Sequence, residues 1–197
     1  MDNTLKYYNQ NANQFVQETI SVDFKQTQNR FLSKLSNGAY ILDFGCGSGR
    51  DAKYFREKGY QVDATDGSEE LCKIASDYTG INVKHMLFEE LCDNNRYDGI
   101  WACSSILHLS KEALLTVLRK MVAALKDSGV VYTSFKYGDF EGERNGRYFT
   151  DFTIESFKEY MKEIPELQME EFWITDDVRP GREEEEWLNL ILRKRTS

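Results

Sequence analysis

The sequence predicts an α/β protein built on a doubly wound, mostly parallel β-sheet. Three observations carry that prediction. Strand-length apolar runs alternate with helix-length segments from Tyr40 to Phe135. The first run opens straight into a glycine-rich turn in YILDFGCGSGR (Tyr40–Arg50), where a helix begins. The last two runs follow one another with no helix between them, which requires an antiparallel strand at or near one edge.

Length and composition fit one domain over residues 1–197: the chain is 41% apolar and 13% aromatic, enough for a real core. Lys and Arg total 25 against 33 Asp and Glu, and the net charge of -8 argues against a bulk grip on nucleic acid. Cys46, Cys72, Cys92 and Cys103 form no C-x-x-C pair and no zinc spacing, so reduced thiols and no metal site are expected. No run is long enough to span a bilayer and the first residues lack a signal-peptide pattern, so the expectation is a soluble, cytoplasmic protein.

Taken in order, residues 1–35 read as helical. Tyr7 and Tyr8 begin an amphipathic stretch that either closes over a ligand as a lid or packs on the sheet edge, and Phe15 is assigned to the core. Tyr40–Phe44 is the first strand and Asp51–Lys58 the next helix, stopped by Gly59. Tyr60–Thr65 is the second strand, after which Ser68 caps a helix with Glu69 and Glu70 in its first turn. Strands follow near Asn82–Met86 and at Tyr97–Cys103. Leu114, Leu118, Met121 and Leu125 form one apolar stripe on the helix Lys111–Leu125. Lys126–Gly129 is read as a turn before the strand Val130–Phe135. Thr153 caps a helix through Met161, and strands near Gln168–Thr175 and Trp187–Arg193 close the chain.

In such a sheet the ligand binds beyond the carboxyl ends of the strands, where Gly45, Gly47 and Gly49 let backbone amides approach it. No Gly-Lys-Ser/Thr follows, which excludes a Walker loop, and Arg50 stands where the nicotinamide fingerprint needs glycine. Asp66, closing the next strand, has the chemistry to accept both hydroxyl protons of a ribose; its alternative role is to cap the following helix.

Together LDFGCGSGR (Leu42–Arg50), ATDGS (Ala64–Ser68), YDGIWACSSILHL (Tyr97–Leu109) and ALKDSG (Ala124–Gly129) resemble the class I S-adenosylmethionine-dependent methyltransferases. The resemblance covers about Tyr40–Phe135. It implies a Rossmann-like, three-layer sandwich with seven strands, the last antiparallel, and S-adenosyl-L-methionine as cofactor. Carried over position by position, it implies cofactor contacts at Gly45, Cys46 and Gly47, with Asp43 near the methionine ammonium. Asp66 would hold the ribose beside Gly67 and Ser68, and the adenine would lie near Met86, Leu87 and Phe88. Many members carry an acidic residue after the third strand, where this chain has Leu87-Phe88. Cys103 would border the transferred methyl group; Tyr8, if its segment closes as a lid rather than packing on the sheet edge, would touch the cofactor.

His108 is either a general base for the acceptor or a packed ring under the cofactor. Residues 136–150 and 176–187 read as substrate-side insertions. There Lys136, Arg144, Arg147, Arg179 and Arg182 converge on a carboxylate or phosphate, or else pair on the surface with Glu141, Glu143 and the solvent-facing run Glu183–Glu186. The expected activity is methyl transfer to a small, anionic molecule. Its alternatives are an RNA methyltransferase working with a partner, a non-catalytic cofactor-binding module, and a nicotinamide oxidoreductase.

Overall fold

The structure, a computed structural model, describes residues 2–179, 182 and 184–196. Three helices come first: α1 (Asp2–Gln10), α2 (Ala12–Thr19) and α3 (Lys25–Leu32). The alternating part runs β1 (Tyr40–Phe44), α4 (Arg50–Glu57), β2 (Gln61–Asp66), α5 (Glu69–Thr79), β3 (Lys84–His85), β4 (Tyr97–Ala102) and α6 (Lys111–Ala124). Next come β5 (Leu125–Lys136), a hairpin of β6 (Glu141–Arg144) and β7 (Arg147–Thr150), α7 (Ile154–Tyr160), β8 (Leu167–Asp176) and β9 (Glu186–Lys194).

Seven strands form one sheet in the order β3-β2-β1-β4-β5-β9-β8, and β9 pairs antiparallel with both of its neighbours. The antiparallel strand is therefore the last in sequence and second from the edge. Period-2 alternation separates the two faces. Leu42, Phe44, Ile100, Val131 and Leu190 pack with α6 and α7, whereas Ile41, Trp101, Tyr132 and Ile191 pack with α3 and α4. Helices thus cover both sides of the sheet. Among the described residues, no helix is long and apolar enough to cross a membrane.

Local structure departs from the sequence expectation in three places. The third strand shortens to Lys84–His85 because β3 pairs with β2 over two residues only. The expected turn at Lys126–Gly129 is instead the bulged start of β5: Leu125 already pairs with Tyr97, and Ser128 takes φ +62 where the register shifts. The β6–β7 hairpin was not anticipated. Its turn is Asn145-Gly146 at φ +49 and +76, the pair that a tight two-residue hairpin loop demands.

Candidate active site

The order of strands reverses between β1 and β4, and the loops leaving those strands lie side by side. Ser105 Oγ donates to the Phe44 carbonyl at 2.7 Å. At Gly45, φ +82, a Cβ would stand 2.5 Å from that of Ser105; at Gly47, φ +54, it would stand 2.9 Å from the Phe15 ring. Only glycine fits at these two turns. The Gly45 and Cys46 amides both donate to the Thr65 carbonyl at 2.9 Å, which ties the turn to the end of β2.

Asp66 lines the cavity above this turn. Its Oδ2 accepts from the Gly47 amide at 2.9 Å and its Oδ1 from the Ser68 amide at 2.8 Å. Burial raises its pKa while those amides hold it down. Asp66 thus pins the glycine turn and starts α5 together, and each oxygen keeps a lone pair for a ligand.

Ser68 departs from its expected place: it is fully buried, and its Oγ accepts from the Leu71 amide and donates to Asn9. It is a helix cap outside the cavity lining. Asp43 is also absent from that lining. Its Oδ2 is buried without a hydrogen-bond partner among the described residues, and burial, then the neighbouring Asp51, lifts its pKa well above the carboxylate range.

The cavity is lined further by Gly67, Leu87 and Phe88, with Phe88 edge-on to Phe44 at 4.9 Å. Met86 is buried beneath. Phe15, expected in the core, is half-buried and lies over Gly47, edge-on to Tyr8 at 5.2 Å. Two more lining residues escaped the sequence reading. Asp51 accepts from Gln28 at 2.6 Å, Trp101 at 2.9 Å and Arg50 at 2.8 and 2.9 Å. Arg50, noted in the sequence only as an interruption of a glycine pattern, lies over the Phe24 ring at 4.8 Å.

Farther along the cavity stand Cys103, Ser104, Ser134, His108, Lys136 and Arg147. Burial pushes the Cys103 thiol up to about 12. Ser104 has φ +50, and its amide donates to Ser134 Oγ at 2.9 Å. His108 Nδ1 lies 2.6 Å from the Tyr148 carbonyl, so that nitrogen carries the proton; Nε2 then accepts from the Tyr8 hydroxyl at 2.8 Å. Burial lowers the His108 pKa to about 4.

The cations do not converge as expected. Arg144 lies outside the cavity lining, clasped by Asp151 at 2.7 and 2.9 Å and stacked on Phe140 and Phe149. Arg179 lines the cavity but is bidentate to Asp177 at 2.9 and 2.5 Å. Lys136 pairs with Glu185, and burial lowers its pKa to about 8. Arg182 lines the same wall. Glu183, the first of the acidic run, lies outside the described residues; Glu184 and Glu186 are exposed, whereas Glu185 turns toward Lys136.

The family model described as a methyltransferase domain matches residues 41–129. An uncharacterized methyltransferase of Staphylococcus carnosus is 24% identical over 65% of this chain, and the chain spans only 65% of that relative's length. The structure of Burkholderia thailandensis 1,6-didemethyltoxoflavin-N1-methyltransferase, with its substrate and S-adenosylhomocysteine bound, is 22% identical. It superposes with a TM-score of 0.77, covering 98% of this chain and 85% of that one. The [4+2]-cyclase SpnF superposes at 0.70 with 16% identity, covering 87% of this chain and 81% of its own. The chain thus carries a match to a methyltransferase-domain model over residues 41–129 and shares the fold of these structures.

Proposed function

We propose that this protein transfers the methyl group of S-adenosylmethionine to a small, anionic molecule. The observation that carries the reading is one continuous cavity. It runs from the Gly45–Ser48 turn and Asp66, past Ser104 and His108, to Arg147 and Lys136.

The residues present fit the cofactor. Gly45 and Gly47 form a cradle that any side chain would fill, and Asp66 has acceptor capacity for ribose hydroxyls. Leu87 and Phe88 offer an apolar wall for adenine, and the Asp43 carboxyl behind the turn, its Oδ2 without a partner among the described residues, has acceptor capacity for the methionine ammonium. When bound, the cofactor supplies an activated methyl group on a sulfonium. The protein's part is to align the acceptor and exclude water. Leu5, Tyr8 and Phe15 of the first two helices and Val178 of the β8–β9 connection wall the chamber, which suits a small acceptor better than a polymer. The net charge of -8 argues the same way.

Calorimetric titration with S-adenosylhomocysteine, with NADH as control, tests the first half. Binding of the former alone is expected, and binding of NADH alone would overturn the reading. An acceptor screen with methyl-labelled S-adenosylmethionine then tests transfer: label should appear in small acidic molecules rather than in RNA.

A further inference from the structure

Arg147 differs from three of the other cations that the sequence singles out. Lys136, Arg144 and Arg179 each have a carboxylate partner, in Glu185, Asp151 and Asp177. Among the described residues, no carboxylate lies within salt-bridge distance of Arg147. Among the described residues its Nε is buried with no acceptor, and its one side-chain hydrogen bond, Nη1 to the Tyr8 hydroxyl, is long at 3.4 Å. The guanidinium is held in place by the rings of Tyr7 at 4.5 Å and Phe149 at 5.2 Å. A fixed guanidinium with an unused, desolvated N–H is a half-made bond to a planar anion.

His108, beside it, does not have a free lone pair. Its Nδ1–H is committed to the Tyr148 carbonyl and its Nε2 to the Tyr8 hydroxyl. Arg147 and Lys136 add positive charge to this end of the cavity. The carboxylates that line the cavity are Asp177, held by Arg179, Asp51, held by Arg50, Asp66 on the cofactor side, and the exposed Asp176. The ring of His108 is committed at both nitrogens, and the charge of Arg147 has no carboxylate partner among the described residues.

We propose that the acceptor is an acidic ring compound bound already ionised, its negative charge met by Arg147, and that no protein base removes its proton. This rests on the methyltransferase reading and names the acceptor class for it. The chemistry balances without a base. A lone pair of the anionic oxygen or nitrogen forms the bond to the methyl carbon, and the carbon–sulfur pair stays on sulfur. A neutral methylated product and a neutral thioether result, with no proton left over. His108 is then a positioning residue that orients the Tyr8 hydroxyl.

The probe is 4-nitrophenol, whose visible absorption reports its ionisation, titrated into protein saturated with S-adenosylhomocysteine. It should bind as the phenolate, with an ionisation midpoint about 1–3 pH units below that of the free probe. Arg147→Met should return the midpoint of any bound probe to the free value, while Arg147→Lys should keep part of the effect. Retained S-adenosylhomocysteine binding shows that each variant is folded. The idea is overturned if nitrophenol binds as the neutral phenol, fails to bind the loaded protein, or is outcompeted by cationic 4-nitrobenzylamine. Failure to bind S-adenosylhomocysteine would instead sink the underlying methyltransferase reading.

Discussion

A methyl group added at Gly47 would meet the Phe15 ring at 2.9 Å on backbone with φ +54. Backbone strain of this kind costs about 1–3 kcal/mol. Gly47→Ala should therefore weaken S-adenosylhomocysteine binding by about tenfold or more, since about 1.4 kcal/mol is a factor of ten. Equal affinity by calorimetry would mean that the turn does not touch the cofactor. His108 gives a pH prediction. Its pKa is lowered from 6.5 to about 4 by burial, so the unfolded chain takes up the proton first as pH falls. The neutral ring's contribution is complete above 6.5 and is lost as pH drops from there toward about 4, on the order of 3 kcal/mol in all. Urea midpoints across that window should fall more steeply in the wild type than in His108→Gln. At this scale the sequence exposed Gly45, Gly47 and Asp66 because a local motif marks them. Asp51 and Phe15 escaped because their partners, Gln28 and Trp101 for one and Gly47 for the other, are distant in sequence.

Capped helices were the most legible elements. Ser68, Ser110 and Thr153 each accept the amide three residues on, as their positions ahead of apolar runs implied for two of them. Thr153→Ala should lower stability by about 1 kcal/mol in urea unfolding and leave S-adenosylhomocysteine affinity unchanged. The β6–β7 hairpin was hidden by its charges: Glu141, Glu143, Arg144 and Arg147 read as an insertion forming a cationic pocket or surface ion pairs, although Asn145-Gly146 between them is a hairpin signature. Space around Gly146 is open apart from Tyr7 at 3.7 Å, so a side chain there meets backbone strain rather than a clash. Gly146→Ala should cost about 1–2 kcal/mol. Because Arg147 is the next residue, it should also weaken nitrophenol binding more than S-adenosylhomocysteine binding.

Across the whole molecule, the sheet order could be argued from alternation and from the missing helix before β9, because connection length and handedness leave few choices. The acceptor wall could not, since it is assembled from α1, the hairpin and the β8–β9 connection. Those parts hold one another: Thr4 accepts from the Tyr148 amide at 3.0 Å, and Tyr8 bonds to His108. Hydrogen exchange should consequently slow together in residues 2–10 and 141–150 when S-adenosylhomocysteine binds. Protection of one segment without the other would show that they are not coupled.

The Thr4–Tyr148 bond spans 144 positions. On a ribosome adding about 5–20 residues per second, a gap of 144 positions lasts roughly 7–29 s. The glycine turn and Asp66 emerge in the first part of that interval, yet the helix that covers them meets only the start of α5, through Asn9 and Ser68, until the hairpin follows. The nascent chain therefore carries a half-covered cofactor crevice through that interval, and the chamber closes only once the hairpin has been made.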